Sequence, residues 1–167
     1  AALNKLPNHL QPHVHGLCAF DRILIEMIRN PKPGVTTKDQ VNAMLAWQQA
    51  FEAGMADELP TNIYLQAAVH SAKVLDLNEN LYTNLVASRV KEHTTKKYAT
   101  FASLSKQIKA TTKPISVLLS NLLSLEDAKS QKAIQQLAEA GELIELLHDL
   151  PKSLKRGVNY LSVADMK

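Results

Sequence analysis

Residues 61–77, which read TNIYLQAAVHSAKVLDL, decide the fold class. Their apolar side chains recur at spacings of three and four, which is the period of an α-helix rather than the alternation of a β-strand. Only a narrow polar strip interrupts them, and a helix of that kind is buried on most sides. We therefore predict a central helix from Ile63 to Leu77, with Thr61 or Asn62 as its N-cap.

Helical periodicity continues on both sides of this segment, and no convincing alternating run is found. A second core segment is the apolar run 115–123, which follows Pro114. Because proline fits the first turn of a helix and disrupts its interior, Pro114 predicts a break after residue 110. A helix over 125–150, single and bent at Gly141 or divided there in two, precedes a short basic helix after Pro151. The other predicted helices cover residues 13–29, 37–53, 79–93 and 96–110.

These elements predict an all-α fold, either a compact bundle or a short α–α superhelix of seven or eight helices. The 167 residues suit a single domain, with a flexible lead-in at 1–12 and a linker at 30–36 that contains two prolines and a glycine. No apolar run is long enough to span a membrane. The single cysteine excludes an internal disulfide framework and favours the cytoplasm or another reducing compartment.

Charge is distributed in blocks along the chain, although the net charge is only +3. Residues 81–116 hold seven basic side chains against Glu92 alone, and the next segment is acidic. At about 100° per residue, Lys106, Lys109 and Lys113 share one face of the fifth predicted helix, opposite its apolar side chains. This spacing predicts a cationic outer face that is available to an anionic partner.

The block pattern favours a non-catalytic interaction module that docks onto the acidic surface of another protein. Sequence-tolerant binding of RNA or DNA through the same surface is the alternative, although lysines outnumber arginines and aromatic residues are few. We predict no catalytic residue and lean away from an enzyme; a helical enzyme or small-ligand carrier with a pocket near His70 and Arg89 is the third hypothesis. The predicted contact residues are Arg89, Lys96, Lys106, Lys109, Lys113, Lys152, Lys155 and Arg156.

Arg89 is the least usual residue in this set, because it falls in the middle of the apolar face of its helix. A guanidinium group there either extends its head to water or needs a carboxylate partner. Glu79, Glu92 or an acid on another helix is a candidate for that partner. If the side chain is only partly covered, the position suits a bound anion.

Two further clusters resemble metal sites, and we predict a metal at neither. Glu145 and His148 form a single Glu-x-x-His pair, whereas carboxylate-bridged dimetal bundles need two. On a helical wheel Glu142, Glu145 and Asp149 lie away from the leucines, which predicts that they face water or a partner.

The second cluster lies at the start of the chain, where His9, His13 and His15 precede Cys18. No further pair of ligands with zinc spacing follows them, so we expect surface histidines and a buried structural cysteine. His70 is expected to be a hydrogen-bonded residue at the edge of the core. No glycine-rich phosphate loop or dinucleotide fingerprint is present, and we predict no cofactor.

Overall fold

The computed structural model describes residues 6–95 and 97–161, and every named element within them is an α-helix. The predicted all-α bundle of seven or eight helices is confirmed. None of the helices in these two ranges has the combination of length and apolar character that a membrane span needs. The seven helices are α1 (Gln11–Arg29), α2 (Thr37–Met55), α3 (Ile63–Val74), α4 (Glu79–Thr94), α5 (Phe101–Leu122), α6 (Ala128–His148) and α7 (Leu150–Lys155).

Four aromatic side chains hold α1, α2 and α4 together at the centre of the main core. Phe20 of α1 contacts Trp47 and Phe51 of α2 and Tyr82 of α4, with ring centroids 5.8, 5.4 and 5.1 Å apart. Phe51 also stacks on Tyr82 at 4.4 Å. These inclined and stacked arrangements add favourable ring contacts to the burial of a large apolar surface. This core fixes the two helices, α1 and α4, that supply half of the site described below.

The third helix is shorter and less buried than its sequence predicts. Leu65, Ala68, Val69 and Ala72 lie in the core, but Ile63 and Val74 are exposed. The helix ends at Val74 because Asp76 adopts a left-handed backbone conformation with φ of 48°. The N–H of Leu77 then donates to the carbonyl of Ala72 and returns Leu77 to the core, as in helix ends that close with a left-handed residue.

The predicted break before Pro114 is wrong, because α5 runs without interruption from Phe101 to Leu122. Proline has no N–H to donate to the carbonyl of Ala110, one turn earlier. The hydroxyl of Ser88 on α4 donates to that carbonyl instead, at 2.9 Å. The start also differs from the prediction, since Thr100 caps the helix in a reciprocal pair with Ser103.

The last two helices settle the alternatives at Gly141 and Pro151. Helix α6 continues through Gly141 to His148 as one element, and Asp127 caps its start. Pro151 does not end a helix but lies in the first turn of α7. Backbone N–H groups in that turn have no intrahelical acceptor, so a proline there costs no hydrogen bond. Residues 30–36 join α1 to α2, and the part of the predicted lead-in before residue 6 lies outside the described residues.

Candidate functional site

The guanidinium group of Arg89 lies at the junction of α1, α4 and α6 and is among the most deeply buried groups of the protein, with 2% of the residue exposed. Its Nε and Nη2 donate to the two carboxylate oxygens of Asp21 on α1, at 2.9 and 2.8 Å. Its Nη1 and Nη2 donate to the two oxygens of Glu142 on α6, both at 3.0 Å. Glu92, one turn along α4, accepts from Nη1 at 2.8 Å. One side chain therefore connects three helices through paired, charge-assisted hydrogen bonds.

Two more arginines extend this network. Arg29, at the end of α1, donates to Glu142 at 3.0 Å and to Glu145 at 3.2 Å. Arg156, which follows α7, donates to Asp149 at 2.8 Å and to the backbone carbonyl of Arg29. We refer to Arg29, Arg89 and Arg156 with Asp21, Glu92, Glu142, Glu145 and Asp149 as the arginine cluster.

The pKa values of the two most buried glutamates of the cluster are shifted in opposite directions. Burial raises the pKa of Glu92, and the nearby Glu142 adds to that effect, although Arg89 opposes it. Burial also acts on Glu142, but Arg89 and Arg29 outweigh it and lower the pKa of Glu142 below its usual value. For Arg89, burial is outweighed by Asp21, Glu92 and Glu142, which raise the pKa of the guanidinium well above its usual range. Glu142 is thus the ionised bridge of the cluster.

Glu92→Gln tests the direction of the Glu92 shift. Where folding raises the pKa of a carboxyl, the protonated group stabilises the folded protein at low pH. That stabilisation is lost as the pH rises from the unfolded pKa of the carboxyl, about 4.3, through its folded pKa. Glutamine does not titrate, so we expect the unfolding free energy of the variant, minus that of wild type, to increase between pH 4 and pH 7.5. Urea unfolding across this range measures the difference. A difference that stays constant or decreases would contradict the assignment.

Two cavities of very different size border Glu92 in the arginine cluster. A void of about 10 Å³ remains beside Glu92 and Glu142, between Tyr98 and Tyr160. That volume is at the lower limit for a single water molecule. A larger cavity of about 290 Å³ lies on the other side of Glu92, against Arg156 and Tyr160. Burial raises the pKa of Tyr160 to about 12, so its hydroxyl keeps its proton at neutral pH.

The carboxylates of the arginine cluster do not form a metal site. Asp21, Glu142, Glu145 and Asp149 each have an arginine within 3.2 Å, and no group of three or more acidic, histidine or cysteine side chains within residues 6–95 and 97–161 is arranged to hold a metal ion. A magnesium ion needs oxygen ligands that are free of competing cations. The residues present therefore do not fit such an ion.

A second candidate site is the groove between α5 and α6, with a volume of about 470 Å³. Lys109 and Lys113 of α5 and Lys132 of α6 line it, and all three side chains are exposed. Their neighbours in the groove are mainly hydroxyl and amide side chains. Among the described residues, none of the three lysines has a carboxylate within salt-bridge distance. We call this feature the lysine groove; its other lining residues are Ser116, Val117, Ser120, Asn121, Gln131, Gln135, Gln136 and Glu139.

The predicted contact residues divide into three groups. Arg89 is buried and cannot present a contact surface, so that assignment is wrong, and Arg156 is half-buried and bound to Asp149. Lys96 lies outside the described residues. The remaining predicted lysines are exposed, and of these only two line the lysine groove. The exposed members are Lys106, Lys109, Lys113, Lys152 and Lys155.

The expected outward orientation is wrong for Glu142 and Asp149, whereas Glu145 is exposed as expected. Glu142 and Asp149 are directed into the cluster, and Glu145 reaches it from its edge. Helix α6 instead exposes part of its apolar side, including Leu137 and Ile144. Leu146 is buried on the same side of α6 as Glu142 and Asp149, so the inward side of this helix is both apolar and acidic.

The histidines and the cysteine also differ in part from expectation. His70 is exposed and stacks against His13, with ring centroids 6.0 Å apart. Neither His70 nor Arg89 lines any of the five main cavities formed by residues 6–95 and 97–161, so the hypothesis of a pocket near both residues has no support there. Cys18 is exposed rather than buried.

The fold resembles that of a solved enzyme. The crystal structure of squalene synthase HpnC from Alicyclobacillus acidocaldarius superposes with a TM-score of 0.77 at 19% sequence identity. The match covers 96% of this chain and 59% of HpnC, so the chain spans about three-fifths of the length of that protein. At this identity the likeness establishes the fold alone.

The sequence itself carries the signal of a family. No curated protein matches the chain, but a model of the family described as "Squalene/phytoene synthase" matches residues 1–167. This match overturns the predicted non-catalytic adaptor and its nucleic-acid alternative, because the family is named for synthases that act on small molecules. The leaning away from an enzyme, and the expected protein partner, are wrong for the same reason. The chain belongs to the squalene/phytoene synthase family.

Proposed function

We propose that this chain is an enzyme domain of isoprenoid synthesis that binds the diphosphate group of a prenyl diphosphate in the lysine groove. Squalene and phytoene, for which the family is named, are isoprenoid hydrocarbons. The observation that carries the proposal is the presence of Lys109, Lys113 and Lys132 in one groove, with no carboxylate of the described part of the chain at salt-bridge distance. Because the chain spans only part of HpnC, the activity of a whole synthase is part of the proposal.

A diphosphate needs positive charge around it, and the arginines of the arginine cluster are already paired with carboxylates. The guanidinium of Arg89 is surrounded by Asp21, Glu92 and Glu142, and that of Arg29 faces Glu142 and Glu145. In the lysine groove, by contrast, three ammonium groups share one concave surface, where their fields add. Lysine binds phosphate as a point charge, without the fixed geometry of arginine.

The other groove residues support the same ligand class. The side-chain amides of Asn121 and Gln136 line the groove, are exposed, and can donate hydrogen bonds to phosphate oxygens. Val117 adds an apolar surface, and the hydrocarbon stems of the lysines extend it for an isoprenoid chain. In a reaction that releases diphosphate, the ammonium groups would stabilise the charge that develops on the leaving group.

The double substitution Lys109→Gln with Lys113→Gln tests the site. Each charged hydrogen bond to phosphate contributes about 1.5 kcal/mol or more, so we expect farnesyl diphosphate to bind at least about tenfold more weakly. Isothermal titration calorimetry at low salt measures the affinity. The matched control is Lys152→Gln with Lys155→Gln, which removes two exposed lysines of α7 outside the groove and should leave the affinity within about twofold.

Two probes separate the parts of the ligand. Inorganic diphosphate should compete with farnesyl diphosphate, and farnesol, which lacks the phosphates, should bind without sensitivity to the lysine substitutions. If the groove variant and the control variant bind farnesyl diphosphate with the affinity of wild type, the proposed site is wrong. Gas chromatography of extracts from reactions with farnesyl diphosphate detects any hydrocarbon product.

A further inference from the structure

We propose that this chain binds its diphosphate ligand without a divalent cation, because Arg89 and Arg29 take the place of a cation among its buried carboxylates. Proteins that bind phosphates commonly hold Mg²⁺ on one or two carboxylates together with the phosphate oxygens. The ligand in this inference rests on the proposed function. The inference that no divalent cation is bound rests on the geometry of the arginine cluster alone.

The first step in the argument is that Arg89 satisfies the oxygens a metal would need. Both oxygens of Asp21 and both oxygens of Glu142 accept hydrogen bonds from its guanidinium, at 2.8 to 3.0 Å. These bonds use the carboxylates in the bidentate manner in which they also bind hard cations. A metal ion would have to displace a buried guanidinium that has no other partner among the described residues outside Asp21, Glu92 and Glu142.

The second step is that the remaining acidic side chains of the cluster are occupied as well. Arg29 binds both Glu142 and Glu145, and Arg156 binds Asp149. Displacing Arg89 would therefore leave Glu142 still paired with Arg29. A buried arginine without its counter-ions carries a large desolvation penalty, so exchange of an internal arginine for an aqueous metal ion is strongly unfavourable.

The third step is that no room for a hydrated ion remains between Glu92 and Glu142. Mg²⁺ gives up its water ligands reluctantly and usually keeps several of them. The void beside Glu92 and Glu142 measures about 10 Å³, which is at the lower limit for a single water molecule. Among the fully buried oxygens of the cluster, Oε1 of Glu92 alone lacks a hydrogen bond, and the cavity of about 290 Å³ on the other side of Glu92 has no second carboxylate among the described residues that line it. One oxygen beside Arg156 does not supply the ligand set of a magnesium ion.

The first experiment uses the wild-type protein alone. Titration with Mn²⁺, followed by electron paramagnetic resonance of the free ion, should detect no site with a dissociation constant below about 1 mM, the range in which a weak divalent-cation site would be detected. One site of micromolar affinity that Asp21→Asn abolishes would overturn the inference. This outcome does not depend on any isoprenoid ligand, so it is distinct from a failure of the proposed function.

The second experiment removes the internal cation. In Arg89→Met the three carboxylates lose their shared arginine, and we expect Mn²⁺ at about 100 times its dissociation constant to raise the melting temperature of this variant by about 5 °C or more. Wild type should not respond. The control Lys73→Met removes a lysine that pairs with the exposed Asp57 and should not respond either. A variant that folds and gains no stability from Mn²⁺ would contradict the substitution of arginine for metal.

The third experiment addresses the ligand. The affinity of wild type for farnesyl diphosphate should be the same, within about twofold, in EDTA and in MgCl₂ at equal ionic strength, since salt screens the lysine contacts in both. Binding that disappears in EDTA would overturn the inference while leaving the proposed function in place. If no binding is detected in either buffer, the proposed function fails, and the Mn²⁺ titration alone decides the inference about the metal.

Discussion

Replacing Arg89 with methionine is expected to lower the free energy of unfolding by about 3–5 kcal/mol. Methionine fills much of the volume of the arginine side chain, but it leaves Asp21, Glu92 and Glu142 close together in the interior without their shared counter-ion. Uncompensated buried charge of this kind is among the few causes of very large effects of single substitutions. The loss should appear mainly as instability of the junction between α1, α4 and α6.

Urea unfolding followed by circular dichroism at pH 7 measures this effect. Lys73→Met serves as the matched control, because it removes the cation of an exposed ion pair with Asp57 and should cost less than about 1 kcal/mol. Acidification should reduce the cost of Arg89→Met, since the protonated carboxyls no longer repel one another. A variant as stable as the control at pH 7 would show that the arginine cluster contributes little to the fold.

The helices that local sequence determines are the ones that periodicity predicted well. Helix α1 begins two residues before its predicted start, and α2 begins at the predicted Thr37. Helix α5 was divided in error because the group that accommodates Pro114 is the hydroxyl of Ser88 on another helix. Spacing along one helix carries no information about a donor that arrives from its neighbour.

The site shows even more clearly that spacing along one helix does not predict contacts with other helices. The position of Arg89 on an apolar face was visible in the sequence, as was Glu92 one turn away. The other partners, Asp21 and Glu142, are separated from Arg89 by 68 and 53 residues, so only the packed helices bring them together. The acidic side of α6 was assigned to the solvent because burial of leucine normally decides the orientation of a helix. Here two buried arginines, Arg29 and Arg89, draw Glu142 of α6 inward instead.

The function had no local signal of the kind that short motifs provide. The family match extends over residues 1–167, whereas the solved HpnC shares 19% identity with the chain. Information that is spread so thinly is detected by comparison across the whole length and not by the spacing of a few residues. The block of lysines in residues 81–116 was nevertheless visible, and it contributes Lys109 and Lys113 to the groove in which we propose that the ligand binds.

Glu142→Gln is expected to lower the free energy of unfolding by about 3 kcal/mol at pH 7. Its carboxylate accepts two hydrogen bonds from Arg89 and one from Arg29, and the Glu142 side chain is 9% exposed. An amide of the same size presents its own N–H₂ group to donors and removes the charge that both guanidinium groups require. The matched control is Glu145→Gln on the same helix, whose half-exposed side chain binds Arg29 and should cost less than about 1 kcal/mol.

The pH dependence separates the lost charge from lost packing. Because folding lowers the pKa of Glu142, its stabilising effect is complete above the unfolded pKa of about 4.3 and is lost as the pH falls through the folded pKa. The gap between wild type and Glu142→Gln should therefore be largest at pH 7 and close on acidification, which is opposite in sign to the trend expected at Glu92. A gap that is equal at all pH values would mean that the substitution acts through shape alone, and that the ionised Glu142 does not hold the arginine cluster together.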